Sequence, residues 1–566
     1  MTRSRLRSLL LGSAAVLTLT LPLSAQRPAA PAATPATPAT RVARAVDPAV
    51  MRAHLEFLAD DALEGRAPGT RGGLIAARYI RSQFERLGLE PAGDSGTYYH
   101  RVPIISLTPK PTLRISGGEH PGELRYRDDF VLWSMRNDSL VRFAGELVFV
   151  GYGIVAPEYD WNDYQGVDVK GKIVVALVND PGLSDSTIFR GKILTYYGRW
   201  TYKIEEAERQ GAAGIVLIHT TESATYPWSA VTSSWTGAQV RVERPATSLL
   251  VAGWVTDKAA AGLFPAGTDL PSTMRGAAVR GFRPMPLKTR LEGEVRSNIR
   301  RSETFNVLGR LPGFGINAEQ AVLIGAHYDH LGVGTPVNGD SIYNGALDNA
   351  SGTAAMLTSA ESFRQSGVRP ARSILFMAFA AEESGLLGST AFADRPTIPL
   401  QRLAAVLNMD GINLSGRTRD VSALGVDQSS LGGDFTRAAA AEGLRVTTNE
   451  DALIKGSFFR SDHFPFAKAG VPALSLENAL DFVGRPREWG QQQADDYIAH
   501  RYHQPSDEIL PSFNYDGAVQ QLRVILRTAM AVAAAPSQPA WNPGSEFRAA
   551  GEARLRKSGA KGSGAK

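Results

Sequence analysis

The sequence predicts an α/β protein: a mostly parallel central sheet flanked by helices, with a smaller, β-rich α/β domain inserted into it. Three observations carry that reading. From about residue 303, near-continuous apolar runs of strand length alternate with helical patterns, as in a parallel sheet covered on both faces. From about 100 to 300 the texture is different, with short strand-like runs punctuated by Gly, Pro, Asn and Asp. Several later strands end on histidine or carboxylate, where open α/β sheets place their sites.

The chain has 566 residues, more than one ordinary domain, and its 43% hydrophobic and 21% charged content is globular. Residues 1–25 read as a signal peptide: Arg3, Arg5 and Arg7, then the apolar "LLLGSAAVLTLTLPL", then "LSA" before Gln26. A membrane anchor is the competing reading, but the apolar stretch is short and broken by Gly12 and Pro22. No later segment is long and apolar enough to span a bilayer, so no stable membrane span is expected after cleavage. The expected location is exported, periplasmic or extracellular.

The formal charge of +5 misleads. Loss of the three signal arginines leaves +2, and the stretch Trp541 to Lys566, with six basic and two acidic residues, carries +4 of its own. The body is therefore near −2, and no nucleic-acid partner is expected. With no cysteine, disulfides, thiolate metal sites and a cysteine nucleophile are excluded.

Along the chain, 26–46 is a Pro/Ala/Thr linker expected to be disordered. From Asp47 the pattern is helical. "VMRAHLEFLADDALEG" aligns Met51, Leu55, Leu58 and Leu63, and "GGLIAARYIRSQFERLGLEPAG" aligns Ile75, Tyr79, Ile80, Phe84 and Leu87 before Gly88 stops it. Strands are expected at "ELVFVGYGI", "KIVVALV", "GIVLIH" and "TSLLVAGW", with a helix at "TYKIEEAERQGA". His219 ends one of these strands alone, a structural placement. Then come "QAVLIGAH", the helix "NASGTAAMLTSAESFRQSG", "RSILFMAFA", "LAAVLNMD" and "VPALSLE". The segment 541–566 is low in apolar content and expected to be a disordered basic tail.

The chemistry gathers at strand ends. "AVLIGAH" ends on His327 with Asp329 two residues on, "SILFMAFAA" runs into Glu382 and Glu383, and "LAAVLNMD" ends on Asp410. Buried glutamates side by side are costly unless paired or bound to metal. Asp348 precedes a helix in "NGALDNASGT", where Asn349 or Ser351 could serve as the cap and leave it free. His503 in "RYHQPSDE" adds a second imidazole. Two imidazoles and three carboxylates are too many for one zinc and suit two, with a carboxylate between them. No nucleophile elbow, P-loop, complete dinucleotide fingerprint or H-E-x-x-H is present.

The segments "GAHYDHLG", "GALDNASG", "AAEESGLLGS", "NMDGI" and "YHQPSDE" resemble, in order, those of the two-zinc exopeptidases, the family of secreted bacterial aminopeptidases, glutamate carboxypeptidases and the transferrin receptor ectodomain. "DVKGKIVVALVNDPG" and "AERQGAAGIVLIH" resemble the protease-associated domain inserted in such enzymes. The resemblance implies peptidase segments at 47–139 and 291–540 around an insertion at 140–290. It implies two Zn(2+) per chain: His327 and Asp410 on one, Glu383 and His503 on the other, Asp348 bridging. Glu382 would be the general acid/base, Asp329 would orient His327, and Tyr502 would steady the oxyanion. His463 would lie near the substrate cleft, and His330 and His500 would be bystanders. The implied reaction is metal-dependent removal of residues from peptide or protein N-termini. A carboxypeptidase or dipeptidase would keep the same metals, a glutaminyl cyclase would use one zinc, and a receptor-like binding protein would lack ligands.

Overall fold

The computed structural model describes residues 36–118, 120–243 and 247–559. The expected signal peptide, residues 26–35 of the expected linker and the last seven residues lie outside the described residues.

Three helices open the chain: α1 (Pro38–Arg44), α2 (Pro48–Leu58) and α3 (Arg71–Arg86). Asp47 caps α2 by accepting the Ala49 N–H, with Pro48 at the first helical position. Thr70 caps α3, and Gly88 beyond its end has a φ of 65°, the left-handed conformation that glycine adopts freely. The expected disorder of 26–46 does not extend to α1. Val42 and Ala43 are fully buried against a late helix, from which Arg523 donates to the Ala43 carbonyl at 3.2 Å. Composition hides this because the helix is held by tertiary contact rather than by its own periodicity.

The strands that follow are β1 (Tyr99–Gly117), β2 (Phe130–Ser134), β3 (Leu140–Phe149), β4 (Ile173–Leu177), β5 (Gly214–His219), β6 (Val251–Thr256) and β7 (Met285–Leu311). After them come β8 (Ala321–His327), β9 (Ser373–Phe379), β10 (Leu403–Asn408), β11 (Asp420–Leu424), β12 (Arg445–Thr447) and β13 (Ala473–Glu477). The main path of the sheet runs β12-β11-β13-β10-β8-β9-β7-β3-β4-β5-β6-β2. The run β13-β10-β8-β9 is parallel throughout, and so is β3-β4-β5-β6. Between them β7, 27 residues long, pairs antiparallel with β9 near one end and β3 near the other. Two parallel sheets thus share one long strand. The expected division at 290 falls inside β7, and β2, upstream of 140, adds an edge strand to β6.

Alternation along the buried strands sends successive side chains to opposite cores. Val322, Ile324 and Ala326 of β8, with Ile374, Phe376 and Ala378 of β9, pack against α1–α3 and two later helices, α5 (Ser351–Ser366) and α6 (Asp516–Ala534), numbered after the helix α4 (Trp200–Arg209) beside β5. Leu323, Leu375, Met377 and Phe379 face the other side, with Phe464 and Phe466. Truncating a ring such as Phe376, fully buried, to alanine would cost about 3–5 kcal/mol.

The expected disordered tail is also corrected. Trp541 and Phe547 are buried, a helix α7 runs Arg548–Gly559, and Arg554 donates to the carbonyls of Leu400 and Leu403. Two aromatic anchors in a basic stretch are too few to register as apolar content. Among the described residues no helix is long and apolar enough to cross a membrane.

Candidate metal centre

In the parallel register Gly325 of β8 lies beside Asn408 of β10, so two residues further on His327 and Asp410 leave the sheet together. His327 Nε2 lies 3.1 Å from Asp410 Oδ1 and 3.3 Å from Asp348 Oδ1. The other oxygen of Asp348 lies 3.3 Å from His503 Nε2, which is itself 3.0 Å from Glu383 Oε2. Asp348 therefore stands between the two imidazoles, one oxygen to each.

The chain holds Asp348 there with its neighbours. Asn349 Oδ1 accepts the N–H groups of Gly352 and Gly411, both at 2.9 Å, and its Nδ2 donates to the Met409 carbonyl. Asn349 thus takes the capping role and joins the start of α5 to the turn carrying Asp410. The carboxylate of Asp507 accepts the N–H groups of Leu347 at 3.1 Å and Asp348 at 3.0 Å and pairs with Arg501 at 3.2 Å. The Asp348–Asn349 peptide is cis.

The adjacent glutamates diverge. Past the end of β9 the backbone turns at Ala381, φ 56°. Glu383 then reaches His503 and also His330, whose Nδ1 is 2.6 Å from Glu383 Oε1. Glu382 points the other way, with Oε2 4.0 Å from His327 Nε2. Asp329, expected to orient the His327 imidazole, meets it mainly through its main chain: Nδ1 is 3.2 Å from the Asp329 carbonyl and 3.8 Å from its carboxylate. That carboxylate instead accepts the N–H groups of Glu382 and Glu383.

His330, expected to be a bystander, is fully buried inside the cluster, and its Nε2 has no hydrogen-bond partner among the described residues. The signal was available, since His330 lies within "GAHYDHLG". Asp507 likewise lies within "YHQPSDE". His500 is exposed and pairs with Asp496, as a bystander would. Tyr502, 44% exposed, stacks its ring on His503 with centroids 3.9 Å apart. His463 is fully buried against the edge of Phe458.

The electrostatics are those of a site built for cations. Burial would lower both imidazole pKa values, but the carboxylates win. Asp410 and Glu382 hold His327 well above its usual value, and Asp348 and Glu383 push His503 up to about 10. Burial alone would raise Asp348, yet its bonds to His327 and His503 hold it well below the carboxylate range. Burial pushes Glu382 well above the usual range. Nearby Asp462, which accepts a hydrogen bond from Ser389, is pushed up by burial to about 8. Asp329, Asp348, Glu383 and Asp507 act on the buried Arg66 guanidinium, and Asp507 also pairs with Arg501. A pocket lined by carboxylates and imidazoles offers the donor types that bind divalent cations. Two triads of ligand atoms suit such ions: His327, Asp348 and Asp410, and His330, Asp348 and Glu383. His503 adjoins the second through Asp348 and Glu383. Neutral nitrogen and carboxylate oxygen are donors that zinc accepts.

Residues 306–528 match the family model described as Peptidase family M28. The matched stretch contains all the expected ligands, and the match is in line with the resemblance to the two-zinc exopeptidases. Among curated proteins the chain is 28% identical over 190 residues to leupeptin-inactivating enzyme 1 of Streptomyces exfoliatus, covering 33% of this chain and 39% of that one. It is 29% identical over 207 residues to aminopeptidase YwaD of Bacillus subtilis (36% and 39%). Over 455 residues it is 24% identical to probable glutamate carboxypeptidase AMP1 of Arabidopsis thaliana (73% and 59%). The chain thus spans less than two thirds of the length of each. Among solved structures, an aminopeptidase from Aneurinibacillus sp. strain AM-1 aligns at 19% identity over 89% of this chain and 98% of its own, with a TM-score of 0.43.

Proposed function

We propose that this protein is an exported zinc-dependent exopeptidase, specifically an aminopeptidase with a dinuclear site. The observation that carries the proposal is Asp348, with one oxygen 3.3 Å from His327 and the other 3.3 Å from His503. A carboxylate so placed would serve to hold two ions. His327 and Asp410 would hold one, and Glu383 and His503 the other. Zinc bound there supplies Lewis-acid polarisation of the scissile carbonyl and lowers the pKa of the attacking water.

The protein's own groups do the rest. Glu382, left without a ligand's role, takes the proton from the attacking water on its carboxylate and returns it to the leaving amine. Tyr502, stacked on His503, donates a hydrogen bond from its hydroxyl to the developing oxyanion. Asp329 holds the backbone of both glutamates. Residues 140–290 contribute none of these groups. We assign them as a protease-associated domain that governs substrate access. Arg3, Arg5 and Arg7 ahead of an apolar run support export.

The reaction direction is tested with peptides blocked at either end. Acetylating the N-terminus should abolish cleavage, while amidating the C-terminus should leave it nearly unchanged. The reverse pattern would make the enzyme a carboxypeptidase, the activity named for the Arabidopsis relative. One tightly held metal at full activity would favour the cyclase-like alternative.

A further inference from the structure

Arg66 lies between α2 and α3 with no exposed surface. Its guanidinium reaches main-chain carbonyls of three separate segments. Nε donates to Tyr328 O at 2.8 Å, Nη1 to Asn344 O at 2.6 Å and also to Leu58 O, and Nη2 to Gly345 O at 3.0 Å. Tyr328 joins His327 to Asp329. Asn344 and Gly345 lead into the turn that presents Asp348. One planar group therefore spans the two chain segments that carry His327 and Asp348, whose facing atoms are 3.3 Å apart.

The approach is built in. At Gly65, φ 65°, an added Cβ would come within 2.4 Å of the Tyr343 carbonyl, so the backbone before Arg66 lies directly against the 343–345 turn. Asn344 ties the same turn back from the other side, its Nδ2 donating to Asp61 Oδ1 at 2.6 Å and to Ala59 O at 2.9 Å. An isolated buried cation is costly. Here Asp329, Asp507, Asp348 and Glu383 offset the burial electrostatically.

We propose that Arg66 is a positioning residue of the metal centre: its fork sets the spacing between the end of β8 and the Asp348 turn, so that His327 and Asp348 meet the same ion. This rests on the metal-centre reading above. Arginine suits the task because several donors are fixed in one plane, whereas lysine offers one mobile ammonium.

The test is metal affinity rather than turnover. Full-length protein is stripped with chelator and titrated with Zn²⁺ in competition with a colorimetric chelator. A parallel titration with Co²⁺ reads ligand geometry from its visible spectrum. Wild type should take up two ions. Arg66→Met should bind at least one ion about 10–100-fold more weakly, the usual cost of losing a group that orients ligands. Arg66→Lys keeps the charge and should recover only part of the loss. The rise in melting temperature on adding metal should shrink in both, and the Co²⁺ spectrum should change. Asn344→Ala leaves Arg66 in place but loosens the turn presenting two of its acceptors, and should weaken binding in the same direction. Folded variants that bind both ions with wild-type affinity and spectrum overturn the proposal, even if their apo and metal-loaded forms lose stability together. If neither Arg66 variant folds, Asn344→Ala decides, and wild-type affinity there overturns it. Wild-type protein that takes up no ions overturns the metal-centre reading, and this proposal with it.

Discussion

Asp329 accepts the backbone N–H of Glu382 at 3.1 Å through one oxygen, while its other oxygen faces the N–H of Glu383 at 3.4 Å. A single buried carboxylate thus fixes the turn from which the two glutamates point in different directions. Their roles should separate cleanly. Glu382→Gln preserves shape but cannot accept a proton at neutral pH. Both zincs should remain, and kcat should fall by roughly 10²–10⁴, the usual contribution of a general base. Substrate affinity should change little. Glu383→Ala removes a contact to both His330 and His503, so one zinc should bind more weakly. Zinc content and kcat of both variants check this. Metal loss in Glu382→Gln with two zincs kept in Glu383→Ala would reverse the assignment.

Asp348 and Asp410 should also differ. Asp348 lies beside both imidazoles, Asp410 beside His327 alone. Asp348→Ala should loosen both ions, and Asp410→Ala chiefly one. Elemental analysis after dialysis against a weak chelator distinguishes two ions lost from one. Equal loss in both variants would contradict the bridging arrangement. In wild type, chelation should abolish activity and zinc should restore it.

Buried His463 should make the fold acid-sensitive. Burial lowers its pKa from 6.5 to about 3. Below pH 6.5 the unfolded chain therefore binds a proton that the native state refuses. The resulting stability is complete above pH 6.5 and is lost as pH falls toward 3, at up to roughly 1.4 kcal/mol per pH unit for one proton. His463→Gln should flatten that slope. Denaturant unfolding of both proteins between pH 7 and 4 measures it, and parallel pH profiles would refute the assignment.

The C-terminal segment should be structural. Trp541 is buried, donates from Nε1 to the Gly470 carbonyl at 3.1 Å and packs on Phe547, which in turn stacks on Phe458. Trp541→Ala should cost about 3–5 kcal/mol. Truncation after residue 540 should lower the melting temperature further. An unchanged melting temperature would restore the view of this stretch as a loose tail.

The parallel strands at 321–327, 373–379, 403–408 and 473–477 were legible because each is a short apolar run covered on both faces, and such runs need no partner to be recognised. The residues at their ends were legible for the converse reason: His327, Glu382, Glu383 and Asp410 break an apolar pattern where burial makes charge costly. Local helix chemistry left Asn349 or Ser351 as the cap that frees Asp348, and Asn349 takes it by accepting the Gly352 N–H. The rest depended on contacts distant in sequence. That Arg66 joins Tyr328 to Asn344, 262 and 278 residues away, has no local signature. A hydrogen bond to a backbone carbonyl leaves no trace in the identity of the residue that accepts it. Helix α1 and the Trp541–Gly559 segment are ordered by surfaces that other elements supply, so composition alone read both as loose. Local sequence sets period, caps and breaks; which groups meet across the sheet is decided when the strands pair and the helices close over them.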